Sequence, residues 1–277
     1  MKKVFLPFLF IVAVISIVGC SKKETASHSL PAGKVVTTAA YEKYFGAAPS
    51  VDKGRAYAFV IYFPSLKEPG KVVPFPFFTF DEGSIKKVAV ERLLGNMDIG
   101  SYQGEFIPFP GGARLMAIND DDGTITVNFS KELDTTAEAG IAHALALTLR
   151  QFKGVRDIRL QVEGKESKLS GLAKNSDDSD VLQLSPPRLL SVTAMRDKGA
   201  RDIEDVNAFF DRPVEVKELK LLSKDEQPFP GELFHSVFDM AAVLKPKDPA
   251  QFKERMPIKV RWKVIDKLGR QAEGDGV

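Results

Sequence analysis

The sequence predicts an α+β domain followed by an antiparallel β-sandwich. Three observations lead there. Helical periodicity is confined to two stretches, 84–94 and 135–152, each set between runs of β-branched and aromatic residues. From Pro187 onward that periodicity stops, and five strand-like runs follow with turn-forming residues between them. Two polar stretches, 20–52 and 166–186, have the composition of a tether and a linker. The chain therefore divides into a leader (1–19), a tether (20–52), an α+β domain (53–165), a linker (166–186) and a sandwich (187–277).

The leader reads Met1-Lys2-Lys3, then an apolar run from Val4 to Val18, then Gly19-Cys20-Ser21. A positive start, a short apolar core and a small residue before the cut describe a secretory signal peptide. The run is shorter than the roughly 20 apolar residues a spanning helix needs. Ile17-Val18-Gly19-Cys20 resembles the lipobox of bacterial lipoproteins. That resemblance implies a diacylglyceryl group on the Cys20 thiol, with palmitate-type acyl chains, and cleavage before Cys20, making the membrane a partner through the lipid. Ser21, rather than an aspartate, then favours the periplasmic face of the outer membrane in a cell with two membranes. In a cell with one, the extracellular face of the cell membrane is expected. The alternative is an uncleaved anchor helix or an ordinary signal with an incidental cysteine.

Composition fits a folded body behind such an anchor. The 277 residues suggest about two domains. A hydrophobic fraction of 44% allows packed cores. Removing 1–19 takes away Lys2 and Lys3 and no acid, which leaves 37 basic against 37 acidic residues. A neutral chain without a basic run has no footprint for nucleic acid and no polybasic signal for anionic lipid. Cys20 is the sole cysteine, so stability must come from core packing.

In the first domain, Arg55–Phe63 is aromatic and β-branched and stops at Pro64, a strand; Val72–Phe80 is a second extended segment, and Pro74 and Pro76 imply an edge position or an irregular path. Ser84 can cap a helix with Ile85, Val88, Ala89 and Leu93 at helical spacing, ending at Gly95-Asn96. Leu115–Ile118 and Thr124–Phe129 flank Asp120-Asp121-Asp122-Gly123 as a hairpin. Thr135-Thr136-Ala137-Glu138 is a capping box opening a helix with Ile141, Ala144, Leu145, Thr148 and Phe152 on one face, and Val155–Val162 is the last strand. Two helices on one face of a small sheet result.

The ordered set Tyr62-Phe63-Pro64, Ala89–Gly95, Ile107-Pro108, Gly123–Ser130, Leu147–Phe152 and Val162–Lys165 resembles the GerM (sporulation and germination) domain. The resemblance implies a ring-building-motif-like fold and a non-enzymatic part in envelope assemblies. Asn96 stands where the family usually has proline, so the loop there is expected to differ.

In the second domain Leu189–Ala194, Asp205–Phe210, Val214–Leu222, Leu233–Leu244 and Ile258–Ile265 read as strands of a small sandwich. Phe234, Phe238, Met240, Ala242 and Leu244 share one face of the fourth strand. Phe209–Val214 and Val260–Arg270 resemble the Ig-like fold of copper-resistance periplasmic proteins. Arg270 stands near the place of their metal-binding histidine, so no metal is expected.

Site chemistry is sparse. His28, His143 and His235 are isolated, with no second ligand at zinc spacing, and His143 is expected in solvent. The Asp120–Asp122 run lacks the ligand pattern of a calcium loop. No nucleophile stands with a base, and Gly111-Gly112 lacks the lysine of a phosphate loop. No cofactor and no enzymatic activity are expected. Proline-rich segments carrying Phe75, Phe77, Phe106 and Phe109 are either core or an exposed patch for a protein partner. The expected function is a lipid-anchored assembly or protein-interaction module with envelope protein partners. The alternative is a periplasmic lipoprotein that binds peptidoglycan or a small ligand.

Overall fold

In a computed structural model, residues 33–97, 100–135, 138–253 and 256–276 are described. Cys20 and the leader lie outside the described residues. The body from Ala32 on is one compact unit made of two lobes.

The first lobe starts earlier than the sequence suggests. Strand β1 (Lys34–Thr37) pairs in parallel with β2 (Arg55–Pro64), and helix α1 (Ala39–Phe45) lies between them in the chain. Thr38 caps α1 by accepting from the Tyr41 amide at 3.1 Å, and Tyr41 and Phe45, one turn apart, are buried with ring centroids 5.5 Å apart. This corrects the tether: residues 33–52 belong to the folded body. A four-residue strand and a seven-residue helix are too short to raise a periodic signal.

Strand β3 (Val72–Thr79) pairs antiparallel with β2 and is the outer strand of the order β1-β2-β3, where Pro74 and Pro76 cost no ladder bonds. Helix α2 (Ile85–Leu94) ends before Asn96, whose φ of 62° no proline could adopt; its side chain accepts from the Phe109 amide at 2.7 Å and fixes the expected different loop. Strands β4 (Leu115–Asp121) and β5 (Thr124–Phe129) form the expected hairpin, with Asp122 and Gly123 both at positive φ. Helix α3 (Ala139–Arg150) crosses to β6 (Asp157–Val162), which pairs in parallel with β5; β7 (Lys165–Glu166) closes the sheet. α3 begins at Ala139, later than a cap at Thr135 would place it, and the Thr135 hydroxyl donates to the Glu132 carbonyl. The expected face of α3 is buried, and so are Ala142, Ala146 and Leu149, because α3 lies between the β2 sheet and the β6 sheet. Where β1 ends, α3 completes the edge of β2: the Val60 amide donates to Gln151 (2.8 Å), the Gln151 amide donates to the Val60 carbonyl, and the Tyr62 amide donates to Thr148 (3.1 Å). A glutamine side chain there substitutes for a neighbouring strand.

Residues 166–186 are not a linker. Helix α4 (Leu169–Lys174) buries Leu169 and Ala173 in the first core, and Leu182 donates to the Val72 carbonyl along β3. The polar composition misleads because its hydroxyls face inward: Ser170 donates to the Leu160 carbonyl at 2.8 Å, and Arg150 donates to the Ala173 carbonyl and the Ser176 hydroxyl at the end of α4.

The second lobe has seven strands: β8 (Leu189–Met195), β9 (Asp205–Phe210), β10 (Val214–Leu222), β11 (Gly231–His235), β12 (Ala241–Pro246), β13 (Lys259–Asp266) and β14 (Gln271–Gly276). The sheets run β8-β9-β12-β11 and β10-β13-β14, all antiparallel. In immunoglobulin lettering these are A-B-E-D and C-F-G, the constant-type topology. Val206, Ala208, Phe210 and Leu244 meet Leu219, Leu221, Val260 and Val264 in the core. The run 233–244 is two strands, not one, because Ser236–Met240 turns back with Phe238 and Asp239 at φ 67° and 53°. That breaks the single face expected for Phe234 through Leu244.

Candidate functional site

Three turns at one end of the sandwich grip the first lobe, and each uses different chemistry. The B–C turn supplies Asp211 and Arg212, both buried. Arg212 donates from Nε and Nη2 to the two oxygens of Asp211 (3.0 and 2.8 Å) and from Nη1 to the Ser185 carbonyl (2.9 Å), with Asp266 at 3.6 Å. Across the lobe boundary the Tyr102 hydroxyl donates to Asp211 at 2.8 Å, and the Arg188 guanidinium lies over the Tyr102 ring and pairs with Glu105 at 3.0 Å. Burial pushes the Tyr102 phenol up, and the adjacent Asp211 adds to it. Burial alone would lower Arg212, but Asp211 outweighs it and the guanidinium is held above its usual range.

The F–G turn supplies Asp266 and Arg270. Asp266 accepts from the Leu268 and Arg270 amides (3.0 and 2.9 Å), and Arg270 reaches past it to donate to the Tyr44 carbonyl in the last turn of α1 at 2.8 Å. Two cations and two carboxylates thus balance, with their remaining bonds made to backbone and phenol. Arg270 is thus a clamp between the lobes. The D–E turn adds an apolar contact: the Phe238 ring stacks on Phe78 with centroids 4.3 Å apart, and Phe80 lies 5.5 Å away. In antibody variable domains this end of the sandwich carries the antigen-binding loops. Here it is occupied by the first lobe. The close fit shows at Gly100, φ 53°, where a Cβ would lie 2.0 Å from the Leu190 carbonyl oxygen.

The aromatic residues singled out from the sequence are placed mostly inside. Phe75, Phe106 and Phe109 are buried, with Phe75 and Phe106 packed around Phe63 and Tyr102; Phe77 is half-buried under the Arg92 guanidinium, 5.3 Å from its ring centroid. The exposed-patch expectation for these rings is therefore corrected to core. Proline keeps the strand at an edge, but the 100–110 loop covers the face that carries the rings. Exposed apolar side chains include Phe80, Leu233, Phe234, Val237 and Leu268. Each stands at a strand end, on an outer strand or in a turn, positions that no periodic pattern marks.

His143 is not solvated as expected. Its Nδ1 donates to the Gly70 carbonyl at 2.8 Å and lies 3.4 Å from Asp180, which ties α3 to the segments on either side. His235 is exposed on β11. Asp120 and Asp122 pair with Lys86 and Arg156. Among the described residues no group of three or more histidine, cysteine or acidic side chains converges as a metal site, and no described helix is long and apolar enough to cross a membrane. A cleft of about 480 Å³ opens between β1, α2 and the end of α3, with Thr37, Lys86 and Gln151 among its walls.

The fold and this arrangement define a GerM-type α+β lobe clamped to an Ig-like sandwich. Residues 60–168, within the first lobe, match the family model described as Germane, sporulation and spore germination. Among solved structures, the first GerMN domain of the sporulation protein GerM from Bacillus subtilis is 20% identical, covers 44% of this chain and 96% of its own, with a TM-score of 0.32. A Clostridium perfringens protein assigned as a lipoprotein is 17% identical, over 40% of this chain and 76% of its own, TM-score 0.27. The tandem GerMN domains of B. subtilis GerM are 16% identical, over 62% and 58%, TM-score 0.31. A comparison with curated protein sequences gave no match.

Proposed function

We propose that the protein is an envelope lipoprotein, anchored through acylated Cys20, that binds other envelope components and does not catalyse a reaction. The observation that carries this reading is β11. It is the outer strand of its sheet and leaves Leu233 and Phe234 exposed. An outer strand with apolar side chains turned to solvent is a template on which an extended segment of a partner adds. The GerM domain supports an assembly role, and the buried charges of the clamp are engaged with one another in holding the body together.

Two substitutions test the reading in cells. Cys20→Ala should leave unprocessed precursor or released protein, and an unchanged membrane fraction would refute the anchor. A photo-cross-linker at Phe234 should capture an envelope protein, and Leu233→Pro should abolish capture while the fold persists. Absence of any adduct at 234 would refute strand addition. Loss of the cellular phenotype in a folded His235→Ala variant would refute the non-enzymatic reading.

The second reading, binding of peptidoglycan or a small ligand, is favoured by the cleft, whose volume of about 480 Å³ suits a ligand of a few sugar or peptide units. Chemical-shift changes at Thr37 and Gln151 on adding soluble muropeptides would support it, and none would remove it.

A further inference from the structure

We infer that the end of the body at which the chain from Cys20 enters lies against the bilayer, with Phe80, Val237 and Leu268 in its interface. The inference rests on the lipid anchor proposed above. Lys34 pairs with Arg55 and Thr79 pairs with Tyr57, so the entry of β1 and the exit of β3 at Phe80 share one end of the sheet. Two strand spacings separate them, about 10 Å. Phe80 reaches the D–E turn through Phe238 at 5.5 Å, and Val237 is the residue before it. The Lys267–Asp239 pair, 3.2 Å, brings the F–G turn and Leu268 to the same end. Three segments far apart in sequence thus converge on this end. Their apolar members stay in solvent: Phe80 59% exposed, Val237 64% and Leu268 47%.

The occupant follows from where the chain goes. Only residues 21–32 separate Cys20 from the first described residue. Twelve residues reach at most about 40 Å fully stretched. An acylated Cys20 therefore holds this end within about 40 Å of the membrane, and burial of the apolar patch would turn it toward the bilayer. Apolar side chains at an interface add burial area to an anchor already present. Near the patch Arg55 pairs with Glu82 at 3.9 Å and Lys267 with Asp239, and the contact inferred is the apolar one.

The test uses the full lipid-anchored protein in vesicles of phosphatidylethanolamine and phosphatidylglycerol. With Cys20 acylated, Val237→Cys or Met195→Cys carries the one free thiol, and each is labelled with an environment-sensitive dye. Met195 is exposed at the opposite end of the sandwich, paired with Asp205. Brominated lipid should quench the dye at 237 severalfold more than the dye at 195, unchanged by salt. Adding Phe80→Ser and Leu268→Ser should reduce quenching at 237 without lowering the melting temperature. Equal quenching at the two positions, or none at 237, would overturn the inference. Failure of the anchor itself is read separately, from the mass of the amino-terminal peptide and from protein that does not float with the vesicles.

Discussion

Arg212 is buried between two carboxylates, and its removal would leave Asp211 buried without its cation and Asp266 with Arg270 alone. Breaking such a pair from one side costs more than the pair is worth. Arg212→Met should lose about 3–5 kcal/mol in urea unfolding, and Arg212→Met with Asp211→Asn should recover part of it. A loss below about 1 kcal/mol would mean that water reaches the clamp. Tyr41 presents the opposite case. Its ring is buried, and its hydroxyl has no hydrogen-bond partner among the described residues. Tyr41→Phe should therefore leave the melting temperature unchanged or raise it, and a fall of several degrees would reveal a partner for the hydroxyl. Gly100→Ala forces a side chain into the Leu190 carbonyl from a left-handed backbone; the expected loss exceeds about 1 kcal/mol.

At the scale of elements, Gln151 links the end of α3 to the open edge of β2. Gln151→Leu keeps the volume and removes both of these bonds together with those to the Thr38 hydroxyl and the Thr148 carbonyl, so a loss of about 1–3 kcal/mol is expected in thermal unfolding. Long, periodic elements were the legible ones. The strands at 55–64, 205–210 and 214–222 and the inward face of α3 follow from alternation and from 3.6-residue spacing. The pieces that were not legible share a physical cause. In β1, α1 and α4, four to seven residues supply too few repeats to show a period. Serine and aspartate in 166–186 look solvated until their backbone partners are known. The candidate site was the least legible part, because which ring is covered depends on a loop folding over it. Phe106 is covered and Phe80 is left in solvent.

For the whole molecule, the absence of an exposed linker at 166–186 and the three-turn clamp make the lobes one cooperative unit. A single unfolding transition is expected by fluorescence of Trp262, in the second core, and by circular dichroism of the helices, in the first. Two separated transitions would show that the clamp is weak. Limited proteolysis should spare 167–182. Alkali should test the same unit: burial raises the phenols of Tyr41, Tyr62 and Tyr102 above their ordinary value. An unfolded tyrosine ionises near pH 10 and these do not, so stability is full below about pH 10 and falls as pH rises beyond it. On the acid side, burial alone would raise Glu105, but Arg188 and Lys67 outweigh it and hold the carboxyl low. Its contribution is present above the ordinary glutamate range and fades as pH falls below about 4.

The parallel pairing of β1 with β2 has a mechanical meaning. Any pull on the chain ahead of Gly33 enters the body through β1, along the strand and against four registered pairs, Lys34–Arg55 to Thr37–Ala58. A strand dragged along its own axis loads all its ladder bonds together, where one peeled from its end loses them in turn. Resistance to such a load is set by the rate of unfolding, not by equilibrium stability. A short strand at the amino-terminal entry of the fold thus acts as a shear joint, carrying tension from a fixed end into the β2 sheet and, through α1 and Arg270, into both lobes.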